Sequence, residues 1–298
     1  MEIPEQLRDF RNFLFLCWKH LDLPAPTPIQ YEIADYMQHG DKRAVIEGFR
    51  GVGKSWVCSA FVVHQLFLDP KKNILVVSAS KTRADDFSTF TLRLIHDMPI
   101  LKHLIPKQSQ RFSKISFDVG LAPASHAPSV KSLGVTSQLT GSRADIIVAD
   151  DIEVPANSAT HSLRWKLSEQ VKEFEAIIKP NDSSKIIFLG TPQNEDSIYN
   201  TLLERDYGCK IWTARYITEN ENNNNYEGNV SQICVDPEKQ GRTTEPKRFS
   251  DIDLDEREIS YGRSGFSMQF MLNTSKSDAD RYPLKLNDLI VTDIDEEL

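Results

Sequence analysis

The run Gly48-Phe49-Arg50-Gly51-Val52-Gly53-Lys54-Ser55 constrains this chain more than any other stretch, because it satisfies G-x-x-x-x-G-K-[ST] at every fixed position. Glycines at this spacing let successive backbone N–H groups turn inward around phosphate oxygens. The lysine neutralises β and γ charge, and the serine hydroxyl ligates Mg2+. Such a loop needs a strand before it and a helix after it, with the positive end of the helix facing the same anion. Residues 44–47 form a short apolar run that predicts the strand, and residues 56–68 predict the helix. From average residue usage, a chance match in a chain of this length is on the order of 1 %. The bland alternative is a glycine turn with an exposed Lys-Ser. The predicted nucleotide-binding set is Gly48, Phe49, Arg50, Gly51, Val52, Gly53, Lys54 and Ser55, with Lys54 also catalytic and ATP as the ligand.

A phosphate loop needs a second element, at the end of another apolar strand, to hold the metal and activate water. Ile146-Ile147-Val148-Ala149 followed by Asp150-Asp151 supplies it. Asp150 is the candidate Mg2+ ligand together with Ser55, and Asp151 stands where a catalytic carboxylate would follow. Glu153, two residues further on, is a rival for the general-base role. Alone, an Asp-Asp pair ending a strand reads as a turn former. Downstream of a complete phosphate loop it reads as the metal site.

Residues 74–79 and 186–189 repeat the continuous apolar pattern of a parallel strand covered on both faces. Residues 82–98 and about 159–178 read as helices. Strands alternating with helices predict an α/β fold with an open, mostly parallel sheet flanked by helices. Before the loop, Leu7, Phe10, Phe13, Leu14 and Cys17 follow the 3.6 period of an amphipathic helix, so residues 1–26 form a helical lead-in. Thr27-Pro28-Ile29-Gln30 then reads as a capping box opening a second helix. Residues 1–217 are assigned to the nucleotide-binding domain. In residues 218–298, the asparagine-rich run 219–228 reads as a mobile polar loop, 256–273 as a small helical subdomain, and the end of the chain as an extended tail.

Composition narrows the alternatives. Apolar residues make up 40% and charged residues 26%, which is the ordinary globular range. No apolar run approaches the ~18 residues of a membrane span, so no membrane insertion is expected. The N-terminus lacks the basic-then-apolar pattern of a signal peptide, and a cytosolic location follows. Cys17, Cys58, Cys209 and Cys234 show no zinc-ligand spacing and are expected as free buried thiols. A net charge of -8 argues against nonspecific coating of nucleic acid. It leaves room for a local basic groove from Lys102, His103, Lys107, Arg111 and Lys114, with Lys81 and Arg83 forming another basic turn. Acidic runs lie at 251–258 and 293–297.

Taken together, these motifs make the chain resemble the large terminase subunit of tailed bacteriophages, in particular that of short-tailed phages, from the Thr27 region onward. The resemblance implies a P-loop NTPase fold of the RecA/helicase-like kind with a small C-terminal subdomain. It implies an ATP-hydrolysing, Mg2+-dependent motor that translocates double-stranded DNA into a procapsid. The implied partners are a portal protein, a small terminase subunit and further copies of the chain in a ring. The implied location is the host cytoplasm, with transient docking on the procapsid.

The resemblance also assigns residues. Pro28 and Gln30 are similar to an adenine-recognising glutamine motif, although a capping box alone accounts for them equally. Arg50 matches a basic loop position implied to contact the γ-phosphate, with a surface arginine as the alternative. The strand 186–189 with Gly190-Thr191-Pro192 resembles a coupling motif in which Thr191 senses that phosphate. Arg143, in Thr140-Gly141-Ser142-Arg143, resembles an arginine finger acting on a neighbouring subunit's ATP, against an intramolecular salt bridge.

Two departures stand out. Asp151 occupies a position where the family usually has Glu. The sequence also stops at Leu298, where the family's nuclease domain would begin, and neither Asp278 with Asp280 nor the terminal acids have the strand context of a nuclease cluster. The expectation is therefore an ATPase fragment, or a motor lacking its cutter, that does not cleave DNA. Competing readings are a helicase-like superfamily-2 translocase, a small-molecule kinase and a non-hydrolysing nucleotide switch.

Overall fold

The computed structural model of the chain describes residues 3–274. Helix α1 (Phe10–His20) starts at Asp9, whose carboxylate accepts the Arg11 N–H, and Leu7 lies before it in a short 3-10 turn. Helix α2 (Pro28–His39) opens on the expected capping box. The Thr27 hydroxyl accepts the Gln30 N–H at 3.3 Å and the Gln30 side-chain oxygen accepts the Thr27 N–H at 3.1 Å. There follow β1 (Arg43–Gly48), α3 (Lys54–Leu68), β2 (Ile74–Ser78), α4 (Lys81–Asp97), β3 (Ser116–Phe117), β4 (Val130–Gly134) and β5 (Ile146–Asp150). The remaining elements are α5 (Pro155–Ser158), α6 (His161–Ile177), β6 (Lys185–Gly190), α7 (Ile198–Leu203), β7 (Gly208–Trp212), α8 (Glu219–Tyr226) and α9 (Asp251–Gln269).

The seven strands lie in the order β3-β4-β2-β5-β6-β1-β7, all parallel except β3, which runs antiparallel to β4. The strands legible in the sequence, β2, β5, β6 and β1, are the contiguous centre, where both faces are covered and every other residue need not be polar. The others escaped notice for a related reason: β4 alternates buried and half-buried residues, β7 is an edge strand carrying Lys210, and β3 is two residues long.

Register is what positions the site. Glu47 of β1 stands beside Gly190 of β6, and Leu189 beside Asp150 of β5. The carboxyl ends of these neighbours therefore finish side by side, which is where ligands bind in open α/β sheets. One face of the sheet packs on α1, α2, α3 and α4, and α3 is buried along nearly its whole length. Phe10 meets Phe61 at 5.4 Å and Phe13 meets Phe67 at 5.5 Å, so the lead-in helix is part of this core. On the other face, Leu167, Val171 and Phe174 of α6 and Tyr199 and Leu202 of α7 form a second cluster, with Phe174 stacked on Phe188 at 5.5 Å. Burying one such phenylalanine contributes about 1.5–3 kcal/mol.

The segment after residue 217 differs from expectation. The run 219–228 contains a capped helix instead of being a mobile loop. The Thr218 hydroxyl accepts the Glu221 N–H at 3.2 Å, and the Glu221 carboxylate accepts the Thr218 N–H at 2.9 Å. Its buried positions, Asn222 and Tyr226, are spaced i, i+4, but one of them is polar, so no apolar period marks the helix. The Asn222 side chain instead accepts the Val230 N–H at 3.0 Å, and the Tyr226 hydroxyl donates to the Met271 carbonyl at 2.8 Å. The later helix begins at Asp251, with Ser250 as its cap and much of the acidic run 251–258 in its first turns. It breaks at Gly262, where φ is 72°. Phe249, Leu254, Phe266 and Phe270 join the same core as Phe49 and Val52, so among the described residues this segment has no separate core. The predicted tail, with Asp278, Asp280 and the run 293–297, lies outside the described residues.

Cys17, Cys58 and Cys234 are buried free thiols, while Cys209 is free but only half-buried. Among the described residues no helix is long and apolar enough to cross a membrane. Thr218→Ala removes one half of the α8 capping box and should lower the unfolding free energy by about 1 kcal/mol in urea titrations. No change would mean that 219–226 is not a packed helix.

Candidate nucleotide site

The loop between β1 and α3 is held in its turn by backbone geometry that only glycine adopts readily. Gly51 and Gly53 have φ of 91° and 96°. A Cβ added at Gly53 would lie 2.9 Å from the Gln30 side-chain nitrogen, and one at Gly51 would lie 2.8 Å from the Phe249 ring. The side chains of Phe49 and Val52 are fully buried and anchor the loop in the core. The N–H groups of Phe49, Arg50 and Val52 are already spent on the carbonyls of Trp212, Gln269 and Phe49. Those of Gly51, Gly53, Lys54 and Ser55 donate to no group among the described residues. Unspent donors at the N-terminus of a helix longer than three turns are what a phosphate chain requires. The residues present therefore fit a nucleoside phosphate.

Lys54 is buried. Its Nζ donates to the Gly48 carbonyl at 2.7 Å and to the Thr191 hydroxyl at 2.9 Å, and that hydroxyl donates to the same carbonyl at 3.1 Å. Burial pushes the ammonium pKa down, while the charges of Asp151 and Asp150 push it back up. Ser55 Oγ donates to Asp150 Oδ1 at 3.1 Å, which joins the start of α3 to the end of β5. Burial raises the Asp150 carboxyl to about 7, and the neighbouring charge of Asp151 adds to this. No group of three or more His, Cys, Asp or Glu side chains suited to a metal occurs among the described residues. A hydroxyl paired with one carboxylate still suits Mg2+, which keeps several waters and takes few protein ligands when phosphates are present. The residues present fit that ion.

The two rival carboxylates occupy different surroundings. Asp151 holds φ at 47°, rare for a residue with a side chain, and its N–H donates to the Leu189 carbonyl at 2.8 Å. Its side chain is 33% exposed, lines the cleft, and lies 3.9 Å from the Arg83 guanidinium. Glu153 is 2% exposed and both of its oxygens are occupied. One accepts the Gln193 N–H at 2.7 Å, and the other accepts the Ser197 hydroxyl at 3.0 Å and the Ile198 N–H at 2.6 Å. Glu153 thus fastens the loop that follows Thr191, and Asp151 is the carboxylate with freedom to meet a ligand.

These groups line a cleft of about 690 Å³. Gln30 is buried at its wall and its amide Nε2 donates to the Val52 carbonyl at 2.8 Å, so besides capping α2 it clamps the loop. Arg50 is exposed and its guanidinium reaches the Gln269 side chain at 3.4 Å. Arg143 is not in the cleft. It precedes the start of β5, the end opposite Asp150, and donates to the Ala176 carbonyl at 2.6 Å, a hydrogen bond where the intramolecular alternative supposed a salt bridge. Among the basic residues 102–114, Arg111 donates to the Ser125 and His126 carbonyls near the β3 edge of the sheet. Arg83, Arg248, Gln269 and the half-exposed Trp56 line the cleft and were not foreseen as site residues. The basic turn around Arg83 was visible in the sequence. For Arg248 and Gln269, distant along the chain, no local signal exists.

Glu47, the penultimate residue of β1, is 3% exposed. Burial pushes its carboxyl to about 8, with the charge of Glu153 adding and that of Lys54 opposing. The folded state favours the neutral acid, so this contribution is full below the usual 4.5 and is lost as pH rises towards 8. Glu47→Gln should therefore unfold at higher denaturant than the parent at pH 8 by about 1 kcal/mol or more, with the gap closing towards pH 4.5. A pH-independent gap would contradict this assignment.

The protein family described as "Terminase large subunit, T4likevirus-type, N-terminal" matches residues 45–172. The large terminase subunit of Enterobacteria phage T3 is 48% identical over 297 residues, covering 97% of this chain and 51% of that protein. The chain thus spans about half the length of the curated relative it matches. Among solved structures, the large terminase ATPase domain of Thermus phage P74-26 superposes with a TM-score of 0.51 at 14% identity, over 86% of this chain and 96% of that one. The HK97 bacteriophage large terminase superposes with a TM-score of 0.54 at 12% identity, over 90% of this chain and 55% of that one. At those identities the superpositions show the fold.

Proposed function

Because this chain belongs to the large terminase subunit family through its N-terminal ATPase region, we propose that it hydrolyses ATP with Mg2+ and uses the energy to drive double-stranded DNA into a viral procapsid. The observation that carries this reading is the junction of Lys54, Gly48 and Thr191 beside the Ser55–Asp150 pair. It joins a phosphate loop, a metal-binding pair and the end of an intervening strand in one contact network.

When bound, Mg2+ and the nucleotide supply neutralised phosphate charge and a transferable γ-phosphoryl group. The chain's own residues do the rest. The N–H groups of Gly51, Gly53, Lys54 and Ser55 cradle the phosphates, while Ser55 and Asp150 hold the metal. Lys54 exchanges Gly48 and Thr191 for the phosphates, which leaves the Thr191 hydroxyl to respond to the γ position. Arg50 acts at the same end of the phosphate chain. Asp151 orients the attacking water and accepts its proton at a carboxylate oxygen, and Glu153 acts indirectly by holding the loop after Thr191. Arg143, remote from its own cleft, serves the cleft of a neighbouring copy in a ring. The partners are double-stranded DNA, a portal protein and a small terminase subunit, met in the host cytoplasm.

Steady-state ATP hydrolysis against protein concentration tests this reading. Asp151→Asn should lower kcat by about 10²–10⁴ with KM little changed, and Glu153→Gln should lower stability as well as rate. Turnover per chain should rise with concentration, and Arg143→Ala should recover on mixing with Lys54→Ala. Full turnover in Asp151→Asn would remove it as base. Strictly linear activity with a silent Arg143→Ala would remove the shared site.

A further inference from the structure

We propose that Arg248 is a phosphate ligand of the nucleotide site, brought over the loop by the segment that follows residue 217. The inference deepens the nucleotide reading above and rests on it. Arg248 Nη2 donates to the Gly51 carbonyl at 2.9 Å, and the side chain lines the same cleft as Lys54, Ser55 and Asp151.

The backbone that carries Arg248 is fixed from several sides. The Arg248 and Phe249 N–H groups both donate to the Glu245 carbonyl at 2.9 Å. The Thr244 hydroxyl donates to the Thr213 carbonyl at 2.7 Å, just past the end of β7, and Ser250 caps α9. Phe249 is the wedge. Its ring meets Phe49 edge-on at 5.7 Å, abuts Gly51, and has the Arg257 guanidinium 5.0 Å from its centroid. The residue before this wedge is therefore held over the loop in advance of any ligand, which lowers the ordering cost of binding.

The guanidinium itself is under-used. It carries five N–H donors in a planar fork, and one of them is spent on a neutral carbonyl. Among the described residues no carboxylate lies within ion-pair distance of it, although the charge of the nearby Glu245 carboxylate acts on it. A guanidinium whose partner is a neutral carbonyl gains by exchanging it for an anion, because the anion adds an opposite full charge to the bond where the carbonyl offers only a dipole. The anion within reach is the one that the unspent N–H groups of Gly51, Gly53, Lys54 and Ser55 would hold. The fork suits a phosphate bidentately in a way that a lysine would not. Arg248 thereby links phosphate occupancy to the cap of α9, while Gln269, at the other end of that helix, accepts the Arg50 N–H at 3.0 Å.

The test is the affinity of the intact chain for ATP and for inorganic tripolyphosphate, which has neither base nor ribose, measured by displacement of a fluorescent ADP analogue. The variants are Arg248→Ala and Arg248→Gln, with Lys54→Ala as reference. Glutamine keeps a polar side chain with N–H donors but is shorter and carries no charge, so it preserves the local polarity and loses a phosphate ligand. Both Arg248 variants should bind ATP and tripolyphosphate about tenfold more weakly, with the melting temperature of Arg248→Gln unchanged. Affinities within twofold of the parent for Arg248→Gln would overturn the proposal, as would a loss confined to ATP. If the parent binds neither probe, the nucleotide reading itself fails. If Lys54→Ala loses binding and Arg248→Gln does not, only the present inference fails.

Discussion

The contact among the Lys54 ammonium, the Gly48 carbonyl and the Thr191 hydroxyl is the constraint around which the site is arranged. A buried ammonium is costly unless polar partners and opposite charge surround it. Here two oxygens take its donors, and Asp150 and Asp151 supply the compensating charge. The arrangement depends on the sheet order, since Thr191 can reach Lys54 only because β6 runs between β1 and β5. The apolar residues that pair these strands are thus what brings together groups far apart along the chain.

Around this contact, burial sorts chemically similar residues into separate tasks. Asp151 and Glu153 are two positions apart, yet one faces the cleft with freedom to move while the other is fastened by three donors. Asp150 is buried beside Ser55 and Asp151, and burial, with the Asp151 charge adding to it, raises its carboxyl pKa. A divalent cation at that point would favour the ionised carboxylate. The segment after residue 217 adds a second wall through Phe249, Arg248 and Gln269, so the loop is gripped from both the sheet and α9.

The phosphate loop, the Asp150-Asp151 strand end and the capping box at Thr27 were legible because each is a local pattern with its own physical cause. The central strands were legible because strands covered on both faces must be continuously apolar. The edge strands β3 and β7, and β4 with its alternating burial beside β3, face no such requirement and left no signal. Helix α8 was missed because a hydrogen-bonded Asn222 fills a buried position where the 3.6 period predicts an apolar residue. The Glu153 environment was illegible for another reason: its partners Gln193, Ser197 and Ile198 come from the loop after β6 and the start of α7, whose path depends on where β6 inserts. Arg248 and Gln269 reach the cleft only through tertiary packing of a segment that looked separable.

The central claim is that the unspent N–H groups of the loop receive the phosphates of a nucleotide. Residue-resolved amide hydrogen exchange with and without Mg2+ and ATP tests it most directly. The account predicts slowed exchange at Gly51, Gly53, Lys54 and Ser55, with little change at Phe49, Arg50 and Val52, whose N–H groups are already bonded within the protein. Unchanged exchange at the first four, with protection appearing elsewhere in the chain, would contradict it.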